Sequence, residues 1–271
     1  MVQGRIPPGI AAFYGPPGTL KTSAAITFPP RVELFDFDLG SQRGWEIDEK
    51  IEAGDVVVHR MYLPKKSITR RSYKLEGFAQ FWNDFTVKFL DACEDPDVGA
   101  IGLDTATVLW ALIQDGWLEE IQNAPAPEGK PNKKQLIQWD FKEPNARMRS
   151  LFATAAQHGK WLIMVMHEAD EYIPVTMGGM PVMDENNNPK TVPSGNKVPD
   201  GWKHTHGTSD WMFYSRLEPD TDNKGNPTGR VTPKMKIIKS PMGVDLMGLD
   251  VDWLTYEGLK TFLDGYGRLK S

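Results

Sequence analysis

Eight residues near the start of the chain, Gly15-Pro16-Pro17-Gly18-Thr19-Leu20-Lys21-Thr22, bring glycines, a lysine and a hydroxyl into the order that binds phosphate. The stretch follows a short apolar run, IAAFY, and opens a helix-compatible run, KTSAAIT. A P-loop requires that strand–loop–helix setting. Backbone N–H groups of a glycine-bearing loop and the positive end of a helix cradle phosphate oxygens. Lys21 supplies a point charge to the outer phosphates, and Thr22 offers its hydroxyl to Mg²⁺. The phosphate-binding set predicted from the motif is Gly15, Pro16, Pro17, Gly18, Thr19, Leu20, Lys21, Thr22 and Ser23. The usual pattern has glycine before the lysine, and here Leu20 stands there. A Cβ at that position is compatible with right-handed helical angles but not cheaply with glycine-only ones, so Leu20 weakens the pattern, and the loop still works if that position is right-handed.

Two further segments place acids where such a loop needs them. VELFDF reads as a strand that runs into Asp36 and Asp38, and strand alternation puts both on one side. An acid at this edge can orient an attacking water as a base. VGAIGL reads as a strand that runs into Asp104-Thr105. An apolar strand ending in one aspartate is the pattern of a Walker B strand, whose acid holds Mg²⁺ or its water. The bland alternative is that Asp104 only caps the helix that follows. A third apolar run, WLIMVM, ends in His167-Glu168, and a polar group there can sense a terminal phosphate by hydrogen bonding. The histidines show no metal-ligand spacing, so a structural metal is not expected.

These groups have to be carried by alternating elements. Strands are predicted at 10–14, 32–37, 55–60, 98–103 and 161–166, with helices at 21–27, 76–93, 105–122 and 146–157. Such alternation implies a mostly parallel sheet with helices on both faces. Ligands of doubly wound sheets sit at the C-terminal ends of the strands, where the glycine loop and the acids fall. Two strands at 209–218 and 230–239, joined by a polar turn, and a helix at 255–264 close the chain. Pro-rich 124–135 and turn-rich 174–208 read as loop insertions in one domain covering 1–271. The composition is globular: 40% hydrophobic, 25% charged, with 25 glycines and 21 prolines, which excludes collagen, coiled coil and wholesale disorder. A net charge of −5 argues against a globally basic nucleic-acid binder while leaving local basic surface open. Cys93 is the only cysteine, so no intrachain disulfide forms, and it is expected to be a buried small hydrophobe in a reducing compartment. No run is long enough to span a bilayer and no signal peptide is evident, so the expectation is a cytoplasmic protein without membrane contact.

Taken in order, YGPPGTLKTSAAITFPPRVELFDFDLG resembles the opening of phage-encoded RecA-like ATPases of single-strand annealing and recombination. The resemblance continues at AIGLDTAT and WLIMVMHE, and more loosely at GNKVPDGW, SDWMFYSRL and KMKIIKSPMG. It covers roughly residues 10–245. It implies an α/β fold with a RecA-like P-loop NTPase core and an antiparallel C-terminal strand extension. It implies an ATPase with ATP and Mg²⁺ as cofactors, the metal held by Thr22 and Asp104. Asp38 falls where the family carries its catalytic acid, a glutamate in RecA itself, and His167 at the strand-end sensor. Lys236 and Lys239 fall on the late strand whose basic residues reach a neighbouring subunit's nucleotide. Two inner loops of RecA-like filaments hold single-stranded DNA. Their counterparts supply Lys130, Lys133 and Lys134, then Lys197, Trp202 and Lys203, with lysines for phosphates and Trp202 for stacking on a base.

The resemblance further implies a homo-oligomer or filament with nucleotide at the subunit interface. Phage single-strand binding or replication proteins are candidate partners, and the host cytoplasm is the expected location. Two competing readings are an ATP-gated switch with little hydrolysis, suggested by Leu20 and by aspartate at position 38, and a helicase-loader-like motor acting on a protein partner.

Overall fold

A computed structural model describes residues 6–40, 45–64, 67–68, 73–125, 133–185, 188–222, 224–252 and 255–269. The strands that matter are β1 (Ile10–Tyr14), β2 (Val32–Asp36), β3 (Val56–Arg60), β4 (Ala100–Asp104) and β5 (Trp161–Met166), then β6 (Glu168–Pro174), β7 (Thr191–Pro199), β8 (Trp211–Thr221), β9 (Pro227–Lys239) and β10 (Asp250–Asp252). Eight of them form one sheet in the order β10-β9-β8-β1-β5-β4-β2-β3. From β8 to β3 all neighbours are parallel, while β9 and β10 add antiparallel strands at one edge. The fold is therefore α/β with a large, mostly parallel sheet flanked by helices.

The central strands are apolar almost throughout because both faces are covered: every residue of β2, β4 and β5 is buried. One face packs on α3 (Phe78–Glu94), α4 (Ala106–Asn123) and α5 (Lys142–Gln157), through Phe85, Phe89, Leu109, Ile113, Met148 and Phe152. The other packs on α1 (Lys21–Ala25), α2 (Trp45–Glu52) and α6 (Tyr256–Leu269), through Ala24, Ala25, Ile47, Tyr256 and Leu259. Alternation along β1 sends Ala12 and Tyr14 to the first face and Ala11 and Phe13 to the second. Cys93 is buried in α3, as expected.

Several predicted bounds shift for local reasons. α3 begins at Phe78 because Gly77 takes a left-handed φ of 88° and the Glu119 carboxylate accepts from the Gly77 and Ala79 amides. α5 begins earlier than expected, after a 3₁₀ turn over Gln138–Phe141. The 174–208 insertion is not mainly loop. Its start and centre form an antiparallel ribbon, β6 with β7, whose register shifts between Pro193 and Lys197. That irregular pairing and the exposure of most of its residues hide the period-two pattern from sequence. Likewise β8 and β9 run further into the polar turn than expected, to Thr221 and from Pro227. There the Asp222 carboxylate accepts from the Lys224 and Asn226 amides and closes the connection. α2 was not anticipated, since WEIDEKIE shows only a short apolar repeat.

Candidate functional site

Parallel pairing brings the C-terminal ends of β1, β5, β4 and β2 to one rim. β5 lies between the strand that feeds the glycine loop and the strand that ends in Asp104. Across β2 and β4, Asp36 stands opposite Asp104. The sequence separates these groups widely; the sheet order collects them.

The loop between β1 and α1 is shaped by close approach. Gly15 has φ +146°, and a Cβ there would lie 2.1 Å from the Ser215 carbonyl oxygen and 2.6 Å from its hydroxyl. Only glycine fits. The neighbouring strand β8 holds the loop further: the Thr19 and Ser215 hydroxyls lie 2.6 Å apart, and Ser215 Oγ donates to the Tyr14 carbonyl at 3.2 Å. Ser215 was missed in the sequence because its role depends on the register of β8 against β1, where Tyr214 pairs with Tyr14.

Leu20 departs from expectation. Its φ and ψ are 59° and 27°, the left-handed region, so the position has glycine's conformation while carrying a leucine. The first residue of α1, Lys21, is buried, and its ammonium donates to the Gly15 carbonyl at 2.9 Å and the Pro16 carbonyl at 2.7 Å. Burial lowers the Lys21 pKa, opposed by the negative charges of Asp104, Glu168 and Asp38. Those three acids therefore surround the lysine electrostatically.

The link that joins loop to sheet is the Thr22 hydroxyl, which donates to Asp104 Oδ2 at 2.7 Å. Asp104 is 2% exposed, and burial pushes its pKa up to about 7, with Asp38 and Asp36 adding to the rise and Thr22 and Lys21 opposing it. The capping alternative is not observed. Thr105 is the N-cap of α4, its side chain accepting from the Val108 amide at 3.3 Å. Asp104 is left to Thr22.

The acidic pair on β2 separates. The strand ends at Asp36, which is fully buried and accepts from the Gly40 amide at 3.2 Å, whereas Asp38 lies in the following bend, exposed, and accepts from the same amide at 2.9 Å. His167 follows β5 at the rim, half-buried. Its amide donates to Thr107 Oγ1 at 3.0 Å, and its carbonyl accepts from the Asp200 amide at 2.9 Å. Its neighbour Glu168, named with it at the strand end, has one buried carboxylate oxygen, Oε2, without a hydrogen-bond partner. Ser23 is half-buried on α1.

A groove of about 550 Å³ opens beside the loop strand, lined by Tyr14 and Tyr214, by Lys236 on β9 and by Lys197 on β7. The two tyrosine rings pack with centroids 5.2 Å apart. Burial pushes the Tyr14 hydroxyl up to about 12, and it donates to the Lys197 carbonyl at 3.4 Å. Lys236 thus faces this groove, across from Tyr214 in register. Lys239 does not extend outward: its ammonium donates to the His206 and Ser209 carbonyls at 2.8 and 2.6 Å, which commits it within its own chain.

No family model matches the chain, and no curated protein matches it.

The remaining expected contacts scatter. Trp202 is 1% exposed, with its indole N–H donating to Asn145 Oδ1 at 2.8 Å and its ring against Phe152, so it is a core residue and presents no face for a base. Lys133 is paired with Asp140 at 2.6 Å and Lys197 with Asp170 at 2.7 Å. Lys134 and Lys203 are exposed, and Lys130 lies outside the described residues. Among the described residues no helix is long and apolar enough to cross a membrane, and no group of three acidic, histidine or cysteine side chains forms a metal cage. Mg²⁺ needs no such cage; one or two protein oxygens plus nucleotide phosphates suffice. Thr22 and Asp104 supply two oxygen donors at the loop, 2.7 Å apart, so the residues present fit Mg²⁺ held jointly with nucleotide phosphates.

Proposed function

We propose that this chain is a Mg²⁺-dependent P-loop ATPase of the RecA-like kind that assembles on single-stranded DNA during phage recombination or annealing. The observation that carries the nucleotide part is the Thr22–Asp104 hydrogen bond, 2.7 Å long and spanning 82 residues of sequence. It joins the hydroxyl of a glycine loop to a buried carboxylate two strands away, the pairing that positions Mg²⁺ against β- and γ-phosphates. When bound, the metal supplies charge neutralisation at the phosphates. The chain's own residues do the rest. Lys21 turns its ammonium from the Gly15 and Pro16 carbonyls to phosphate oxygens, and the loop amides hold those oxygens. Asp38 accepts a proton from, or orients, the attacking water, and His167 hydrogen-bonds at the rim. This is catalysis by positioning and charge stabilisation, with little covalent work. DNA binding and oligomerisation rest on the sequence resemblance. In an oligomer, we assign to Lys236, which lines the groove opposite Tyr214, the role of meeting a neighbour's nucleotide.

Leu20 favours a second reading, the nucleotide-gated switch. A leucine held at φ 59° costs about 1 kcal/mol or more, and a strained loop suits slow turnover.

The test is Mg²⁺-dependent ATP hydrolysis with and without single-stranded DNA, using Lys21→Ala as control. DNA-stimulated hydrolysis abolished by the substitution supports the recombinase reading. Hydrolysis indifferent to DNA shifts the assignment to a motor acting on protein. Binding without hydrolysis selects the switch. Unchanged binding and turnover in Lys21→Ala overturns the site itself.

A further inference from the structure

Trp139 is the most exposed large apolar side chain among the described residues, at 85%. It does not dangle from a loose loop. It lies in the 3₁₀ turn Gln138–Phe141, and the residues after it are fixed. Asp140 accepts from the Lys133 ammonium at 2.6 and 2.7 Å and from the Ile137 amide at 2.8 Å. Phe141 packs against Trp110, with ring centroids 6.4 Å apart. Trp110 belongs to α4, the helix that starts directly after Asp104 and its capping Thr105. An indole is therefore presented to solvent on a rigid turn that abuts the helix leaving the nucleotide rim.

The charges around it are positive. Lys134 and Lys142 flank the turn and are exposed. Arg149 is exposed and lies seven residues after Lys142 on α5, which puts the two on one helix face. The nearby acids are engaged: Asp140 with Lys133, and Glu143 with Arg147 at 3.2 Å. In a chain of net charge −5 this is a local basic surface with an aromatic platform.

We propose that Trp139, with Lys134, Lys142 and Arg149, is a stacking contact for single-stranded nucleic acid. An aromatic face accepts any base, and cations beside it track the phosphates, which gives sequence-tolerant binding. A protein partner's apolar hot spot would be ringed by more apolar surface; here, among described residues 133–149, Ile137, 50% exposed and just before the turn, is the one other exposed large apolar side chain. The proposal rests on the DNA-binding reading above and moves its stacking residue from buried Trp202 to Trp139.

The experiment titrates a fluorescent oligothymidylate with the full chain in the presence of Mg²⁺ and a non-hydrolysable ATP analogue. Trp139→Ala, Trp139→Phe and Lys142→Gln/Arg149→Gln are compared at several salt concentrations. Trp139→Ala is expected to weaken binding about tenfold, with Phe restoring most of it. The double charge variant is expected to lower the magnitude of the salt slope by about 1.4, from about 0.7 per cation on a single strand. DNA-independent hydrolysis stays at the wild-type rate in all three. If the wild type binds and Trp139→Ala binds equally well, the proposal fails while the DNA reading stands. If the wild type binds no oligonucleotide, both fail. If Trp139→Ala instead shifts the oligomeric state in gel filtration without changing affinity, the indole belongs to a protein interface and the proposal is overturned.

Discussion

Replacing Leu20 by glycine and by alanine tests the loop geometry directly. Both variants delete the same exposed side chain, 39% accessible in the folded protein, so the difference between them isolates the backbone. At an ordinary position alanine is more stabilising than glycine by about 0.5–1 kcal/mol, because glycine gives the unfolded chain more freedom. Leu20 is held at φ 59° and ψ 27°. A Cβ in that region costs roughly 1–2 kcal/mol, which glycine avoids. Subtracting the unfolded-state effect leaves glycine equal to or ahead of alanine, by about 0–1.5 kcal/mol and centrally about 0.75 kcal/mol. The sign is reversed from the ordinary case. Urea unfolding of the two variants, with equal m-values, reads this difference as a shift in midpoint. In a chain of this size about 1 kcal/mol moves the melting temperature by roughly 2–4 °C. Alanine more stable than glycine by the ordinary margin of about 0.5–1 kcal/mol would refute the left-handed assignment, and Leu20 would then occupy the right-handed region. Nucleotide affinity is expected to change little between the two, since the loop angles are already set before phosphate arrives.

Asp104 gives a pH prediction. Its folded pKa of about 7 lies above the ordinary aspartate value of 3.8, so between those values the folded state holds more proton than the unfolded state. Stability from this group is full below about pH 4 and is lost as pH rises to about 7, roughly 4 kcal/mol in all at 1.36 kcal/mol per unit. Asp104→Asn should therefore be more stable than wild type at pH 8 and similar at pH 4, by urea unfolding, while losing Mg²⁺-dependent nucleotide binding; a variant less stable at pH 8 would contradict the buried-charge account. Because the metal needs the carboxylate ionised, Mg²⁺–nucleotide binding should release protons below pH 7, seen as buffer-dependent heats in calorimetry. Gly15→Ala places a methyl 2.1 Å from a backbone oxygen, so it should lower the melting temperature strongly, and Ser215→Gly should not rescue it because the obstructing atom is backbone.

The strands β1 and β5 were legible to the residue, because each is a short apolar run bounded by glycine or polar residues. The meeting of Thr22 with Asp104 follows from two separate signals in the sequence, the glycine-loop motif and an apolar strand with a terminal acid. What stayed hidden was whatever depends on register. Ser215 meets the loop only because β8 flanks β1. Trp202 and Trp139 are the same residue type in similar polar surroundings, yet Asn145 and Phe152 bury one while Asp140 and Phe141 fix the other outward. Lys239 shows the same limit: charge predicts exposure, but two carbonyls at 2.8 and 2.6 Å claim it.

The placement of β1 between β5 and β8 has a consequence for the order of events on the ribosome. Ile10 pairs with Leu162 and Tyr14 with Tyr214, so the strand that precedes the glycine loop finds neither neighbour until residues near 162 and 214 have emerged. Synthesis at about 5–20 residues per second leaves that apolar strand unpaired for roughly ten seconds or longer. Such long-range pairing is slow to form and prone to aggregation while it waits. A strand made well before both its neighbours is thus among the last of the sheet to pair. Nascent chains halted before residue 211 lack the hydroxyl and carbonyl of Ser215 that brace the loop, so nucleotide addition should protect the completed chain from proteolysis but not those shorter intermediates.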